Sequence, residues 1–276
     1  MKIIGLLIVL ACGSLIIYGT ADFPAWADPA SPASRHVSPH YIEHAMDQTA
    51  VPNIVTAVLA DYRGYDTMFE TTVIFAAGMA CFFLLRNYRR KAPDSRLYRH
   101  VSTGITLTIE KGGRLPSASQ EFERIDSQWV PYDLIIRTTC RFIYPFVQLF
   151  ALYVIAHGHH SPGGGFQGGV ILGASVILFA VSNDLRSAIS RMGEKFSALM
   201  CSGGVFIYAA TGVLCLLLGA NFLDYAALAR VLGCDPVMAR SHGILIVEIG
   251  VGIAVMAVMV CLYYILSSSG NLDEGL

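Results

Sequence analysis

Ile244-Leu245-Ile246-Val247-Glu248-Ile249-Gly250-Val251-Gly252-Ile253-Ala254-Val255-Met256-Ala257-Val258-Met259-Val260-Cys261-Leu262-Tyr263-Tyr264-Ile265-Leu266 carries one charged residue, Glu248. A hydrocarbon core ~30 Å thick is crossed by about 20 mostly apolar helical residues. The stretch therefore predicts a transmembrane helix, and it sets the class of the chain. Five more apolar segments lie upstream: Ser197–Ala220, Phe166–Val181, Phe142–Ala156, Thr67–Leu85 and Ile3–Tyr18. Composition agrees, with 54% hydrophobic residues, 14% charged and a mean hydropathy of +0.56. The expected fold is an all-α integral membrane protein with six transmembrane helices in a 2 + 4 arrangement. Such a chain sits multi-pass in the cell (inner) membrane. The third and fourth spans are short, so His157–Gly165 is read as a tight connection.

Basic residues set the expected orientation. With both termini inside, only Arg35, Arg63, Arg230 and Arg240 of the 19 Lys and Arg residues fall outside. This favours N-in/C-in, with the Pro-rich loop Ala21–Asp66 outside. A rival reading of the first span is a signal peptide cleaved after Ala25-Trp26-Ala27; a retained helix is favoured. Organisation then follows: a two-span module over 1–90, a cytoplasmic polar linker over 91–131 and a four-span module over 132–276. Within the linker, alternation over Gly104–Ile109 and the turn signal Lys111-Gly112-Gly113-Arg114 suggest a short hairpin. Glu121–Ser127 reads as a surface helical turn. Arg137 and Arg141 share a helix face and snorkel to the interface. His36, His40 and His44 are spaced by four, but Pro39 is expected to interrupt a helix there, leaving surface residues.

A net charge of −1 gives no basis for nucleic-acid binding. The seven cysteines form no C-x-x-C pair, so no metal or cofactor is expected. The densest polar patch is His157-Gly158-His159-His160-Ser161-Pro162-Gly163-Gly164-Gly165-Phe166-Gln167-Gly168-Gly169. Gly163, Gly164, Gly165, Gly168 and Gly169 allow either close helix packing or a broken-helix loop. Irregular backbone at membrane depth is tolerated only inside protein or beside water. Three nearby histidines do not by themselves make a metal site. Charged groups inside spans imply a polar route or a partner. Glu248 lies about 6 Å into its helix at ~1.5 Å per residue, preceded by His242. Glu70 follows Asp66 by one turn. Asp66, Glu70, His157, His242 and Glu248 are thus candidates for an ion pathway, against the plainer reading of structural hydrogen bonds near helix ends.

Arg141-Phe142-Ile143-Tyr144-Pro145, the glycine patch and Gly243-x-x-x-Val247-Glu248-Ile249-Gly250-Val251-Gly252 resemble the B subunit of Mrp-type multisubunit Na+/H+ antiporters. The resemblance spans residues 132–267. Upstream, Pro52-Asn53-Ile54-Val55-Thr56-x-Val58-Leu59-x-Asp61-Tyr62-Arg63-Gly64-Tyr65-Asp66-Thr67-x-x-Glu70 resembles the C-terminal segment of the Mrp A subunit. It is also similar to the equivalent small membrane subunit of complex I-related hydrogenases. The chain thus looks like a fusion of the two modules. The large multi-span part of an A subunit is absent, and 90–130 matches neither module.

The resemblance implies a transporter subunit rather than an enzyme, in a complex exchanging Na+ or another monovalent cation for H+. Its implied partners are large antiporter-like A or D type subunits and small C, E, F and G type subunits, all in the lipid bilayer. Two alternatives remain open: the membrane arm of a hydrogenase or other redox-driven pump, and a structural scaffold that carries no ion.

Overall fold

The computed structural model describes residues 2–86, 95–110, 121–125, 134–183, 185–268 and 270. Six helices among these are long and apolar enough to cross a membrane: Ile3–Asp22, Gly64–Leu85, Leu134–Ala156, Gly165–Ser182, Glu194–Leu217 and Pro236–Ser267. The axis of the fold is the last of them. Pro236 and the Asp235 side chain, which accepts from the Val237 amide, start this helix. Two thirds of its most apolar window is buried by its neighbours (67%). A helix apolar all round belongs in such a place.

In chain order the helices are α1 (Lys2–Gly19), α2 (Ser38–Thr49), α3 (Ile54–Ala57), α4 (Gly64–Leu85), α5 (Leu134–Ala156), α6 (Gly165–Ser182), α7 (Leu185–Arg191), α8 (Glu194–Leu217), α9 (Ala229–Leu232) and α10 (Pro236–Ser267). α4, α6 and α8 pack on α10, and α5 packs on α6. α1 buries nothing in its apolar window (0%). Two glycine contacts set how close the inner helices lie. A Cβ on Gly169 of α6 would come within 2.6 Å of the Gly252 carbonyl oxygen of α10. On the other side of α10, Gly204 and Gly250 meet, and a Cβ on Gly250 would lie 2.9 Å from the Gly204 carbonyl oxygen. Small residues let membrane helices approach backbone to backbone.

The segment between α2 and α4 is not an outer loop. α3 runs into a π-helical turn, Val58–Tyr62, and Val51, Thr56, Ala57 and Ala60 are buried. They share a core with Tyr208, Tyr225, Ile244, Val247 and Val251. The N-terminal part of the chain is therefore folded into the part that follows it.

Four expectations need correction. The fold is mostly helical but not all-α. A three-stranded antiparallel sheet joins α4 to α5, built from β1 (Ser95–His100), β2 (Thr106–Glu110) and β3 (Phe122–Ile125) in the order β2-β1-β3. Its hairpin turns at 101–105, upstream of the glycine signal, and Lys111–Arg114 lies outside the described residues. Phe122–Ile125 is a strand rather than part of a helical turn. Leu97 pairs with Ile125 and His100 with Phe122, so cross-strand pairing overrides a weak local preference. Finally, Pro39 starts α2 instead of interrupting it, because a missing N–H costs nothing in a first turn. His40 and His44 follow on that helix with ring centroids 4.9 Å apart.

Candidate functional site

Glu248 lies on the buried side of α10, 8% exposed, and its side chain points at the start of α6. The connection from α5 to α6 wraps the carboxylate. Gly164 holds φ 136° and ψ −172°, a conformation open only to glycine. Cβ atoms on Gly158 and Gly164 would lie 2.6 and 2.8 Å from the two carboxylate oxygens. The Gly165 amide, first residue of α6, donates to the carboxylate. Helix N-termini favour negative charge at this position. The other oxygen, Oε2, is buried and has no hydrogen-bond partner. In an apolar span that is an expensive arrangement.

The connection is tied from outside by the segment that precedes α4. The Asn53 side chain donates to the Gly158 carbonyl at 2.8 Å and the Ser161 carbonyl at 2.9 Å. Thr56 Oγ1 donates to the same Gly158 oxygen at 2.8 Å. The Asn53 amide donates to the His159 carbonyl at 2.9 Å. His159 is buried, and its Nε2–H donates to the Ser241 carbonyl at 3.0 Å. Burial lowers its pKa, and the neighbouring His160 and His242 push the same way. Above these contacts Arg240 grips Asp61 through two hydrogen bonds, at 2.8 and 2.9 Å.

The candidates read from sequence do not all meet. Glu248 and Gly158–Gly165 converge. His157 is exposed and stacks on Tyr153 with centroids 4.1 Å apart. His242 is exposed. Asp66 is exposed and pairs with Arg63, and Glu70 faces outward from α4. Gly165 and Gly169 face α10, while Gly168 faces Ile155 and Ala151 of α5. Gly163, with φ 147°, lies against Val154. Sequence reasoning passed over Asn53, Thr56, Asp61, His159 and Arg240. Only the tightness of the Asn53–Glu70 pattern could have marked the first three. Among the described residues no group of three or more His, Cys, Asp or Glu could hold a metal ion.

A family model described as a domain related to the MnhB subunit of Na+/H+ antiporter matches residues 135–261. A putative antiporter subunit mnhB2 of Staphylococcus haemolyticus is 30% identical over 137 residues, which cover 49% of this chain and 94% of that protein. The chain belongs to the MnhB family. The family region contains Glu248, the glycine connection and Tyr208. The MnhB match does not reach Asn53 and Asp61. A second model, MbhE, described as the E subunit of MBH, matches residues 3–99. The two regions occur together in a probable K+/H+ antiporter A/B subunit of Rhizobium meliloti (strain 1021). It is 25% identical over 201 residues, covering 71% of this chain. The chain spans only 19% of the length of that relative. A solved chain of the membrane-bound sulfane sulfur reductase, an archaeal respiratory membrane complex, has a TM-score of 0.51 at 25% identity. That match covers 91% of this chain and 95% of the other.

Proposed function

We propose that this MnhB-family chain is a membrane subunit of a multisubunit monovalent cation/H+ antiporter, and that Glu248 lies on its ion route. The observation that carries the reading is the buried carboxylate with one oxygen on the α6 N-terminus and the other unpartnered. A purely structural cap has no use for an empty acceptor inside a span, whereas a group that exchanges H+ or Na+ does. The names of the relatives, Na+/H+ and K+/H+ antiporter subunits, supply the substrate class. Partners in this reading are large antiporter-like and small Mrp-type subunits.

N-in/C-in orientation places the glycine connection and the Asp61–Arg240 pair on the outer side. The ion pair of Arg86, after α4, with Glu194, at the start of α8, fits both ends lying on one face. Asp66 and Glu70, facing away from the core of this chain, would meet another subunit rather than Glu248. Residues 1–90, 91–131 and 132–276 are retained as modules of origin.

The test is Glu248→Gln in the assembled complex. Cation-dependent proton exchange in everted vesicles is expected to fall at least about tenfold, with the complex recovered in normal yield. Normal exchange would make Glu248 structural. A second reading, the membrane arm of a redox-driven ion pump, is favoured by the likeness to the sulfane sulfur reductase chain and to the MbhE model. Pull-down in mild detergent separates the two: iron–sulfur or hydrogenase-type subunits among the partners would establish the second.

A further inference from the structure

Tyr208 of α8 and Tyr225, in the short turn Tyr225–Leu228, are both fully buried, yet they keep polar tips in the core. Their rings arrive from different elements and their hydroxyls hydrogen-bond to each other. Tyr208 also donates to the Gly64 carbonyl at 2.9 Å, and Tyr225 to the Ala60 carbonyl at 3.0 Å. Both acceptors flank the π-helical turn Val58–Tyr62, where irregular helix exposes carbonyls. A Cβ on Gly64 would lie 3.6 and 3.7 Å from the two phenol oxygens, so the glycine leaves them open space. Gly243 makes room for the Tyr225 ring on the opposite side.

The ends of this pair are what give it meaning. Both hydroxyls feel the charge of Asp61, the carboxylate held by Arg240. Tyr208 also feels Glu248, whose Oε2 is buried and unpartnered. Two carboxylates are thus joined through two phenols inside an otherwise apolar core. Packing alone is served equally by phenylalanine, without the cost of burying two hydroxyls.

We propose that Tyr208 and Tyr225 form a proton relay between the Asp61–Arg240 mouth and Glu248. The relay rests on the functional reading of Glu248 given above. Tyr225 accepts a proton from the Asp61 side on its phenol oxygen and passes its own hydroxyl proton to the Tyr208 oxygen. Tyr208 passes its hydroxyl proton to the Glu248 carboxylate. Each phenol gains one proton and gives one, so no tyrosinate is formed. The last hop is spanned by a swing of the Glu248 side chain or by one water. Rotation of the two hydroxyls between each other and the Ala60 and Gly64 carbonyls resets the chain.

The test measures exchange in everted vesicles for the complete complex carrying Tyr208→Phe, Tyr225→Phe or Glu248→Gln. Each Phe variant is expected to lose at least about tenfold in maximal exchange, with unchanged apparent cation affinity and normal complex yield. Wild-type exchange in both Phe variants beside an inactive Glu248→Gln would overturn the relay and leave the role of Glu248 intact. Wild-type exchange in Glu248→Gln would overturn the functional reading and the relay with it. Should a Phe variant fail to assemble, 2,3,5-trifluorotyrosine at 208 retains the ring and hydroxyl while making the phenol more acidic. An altered pH profile of exchange is then expected, and an unaltered one counts against the relay.

Discussion

The guanidinium of Arg240 holds the carboxylate of Asp61 in a two-pronged grip, across 179 residues of sequence. Arg240 Nε lies 2.8 Å from Asp61 Oδ2, and the Asp61 side chain is only 7% exposed. The guanidinium also faces the Tyr62 ring, 5.9 Å from its centroid. This is the strongest polar link between the segment before α4 and the last helix. Removing one partner of a buried pair leaves an uncompensated charge, which costs about 3–5 kcal/mol. Arg240→Met is therefore expected to lower the unfolding temperature of the purified complex and expose the 50–64 segment to protease. Adding Asp61→Leu should return most of the lost stability. A double variant no better than the single would show that the pair is not what binds the two segments.

Neighbouring glycines on α8 give a sharp contrast. Gly203 has nothing within 4 Å of an added Cβ, whereas Gly204 would press a methyl group into the Gly250 carbonyl and Ala254 of α10. Gly204→Ala should destabilise by about 1–3 kcal/mol through overpacking. Gly203→Ala should be neutral or slightly stabilising, as a better helix former in the same place. Thermal unfolding of both variants in one detergent provides the comparison.

Asn53 joins three backbone sites at once, donating to Gly158 and Ser161 and accepting from the Val55 amide. At about 0.5–1.5 kcal/mol for each bond, Asn53→Ala is expected to loosen the glycine connection by roughly 2–3 kcal/mol. Hydrogen exchange at 157–165 should quicken while the α8–α10 interface stays protected. Equal loss of protection everywhere would argue against a local tie.

His159 predicts a pH effect with a definite sign. Burial favours the neutral imidazole, so its folded-state pKa lies below the usual value. Above about pH 6.5 the ring is neutral folded or unfolded, and its contribution to stability is complete. As pH falls from there through the lowered folded value, the unfolded chain takes up the proton first and stability drops. Unfolding temperature should decline over that window in the wild type and decline less in His159→Gln. An identical decline in both would assign the effect elsewhere.

Much of the architecture was legible because bilayer spans are written in long apolar runs. Leu134–Ala156 extends beyond the expected Phe142 start, since Arg137 and Arg141 can lie within the helix and remain exposed. The glycine patch was readable as a place of close approach, and Glu248 as the costly residue beside it. What could not be read was non-local. No periodicity reports that Asp61 meets Arg240, or that Tyr208 and Tyr225 share a hydrogen bond. The β3 strand owes its form to β1, some two dozen residues upstream in the chain. His159 rather than His157 turned out to be the buried ring, because the tight connection turns one inward and its neighbour outward. Alternation of three nearby histidines in a glycine-rich turn carries no directional signal.

The burial of residues 50–64 beneath α10 has a consequence for biogenesis. The last helix made is the one against which this early segment is sealed, so the fold closes only when synthesis is nearly over. Carrying both halves on one polypeptide fixes their ratio at one to one. It also replaces a search between separate membrane subunits by an intramolecular docking at high effective concentration. Covalent continuity thus guarantees that neither half waits for the other in the bilayer with its polar backbone unsealed.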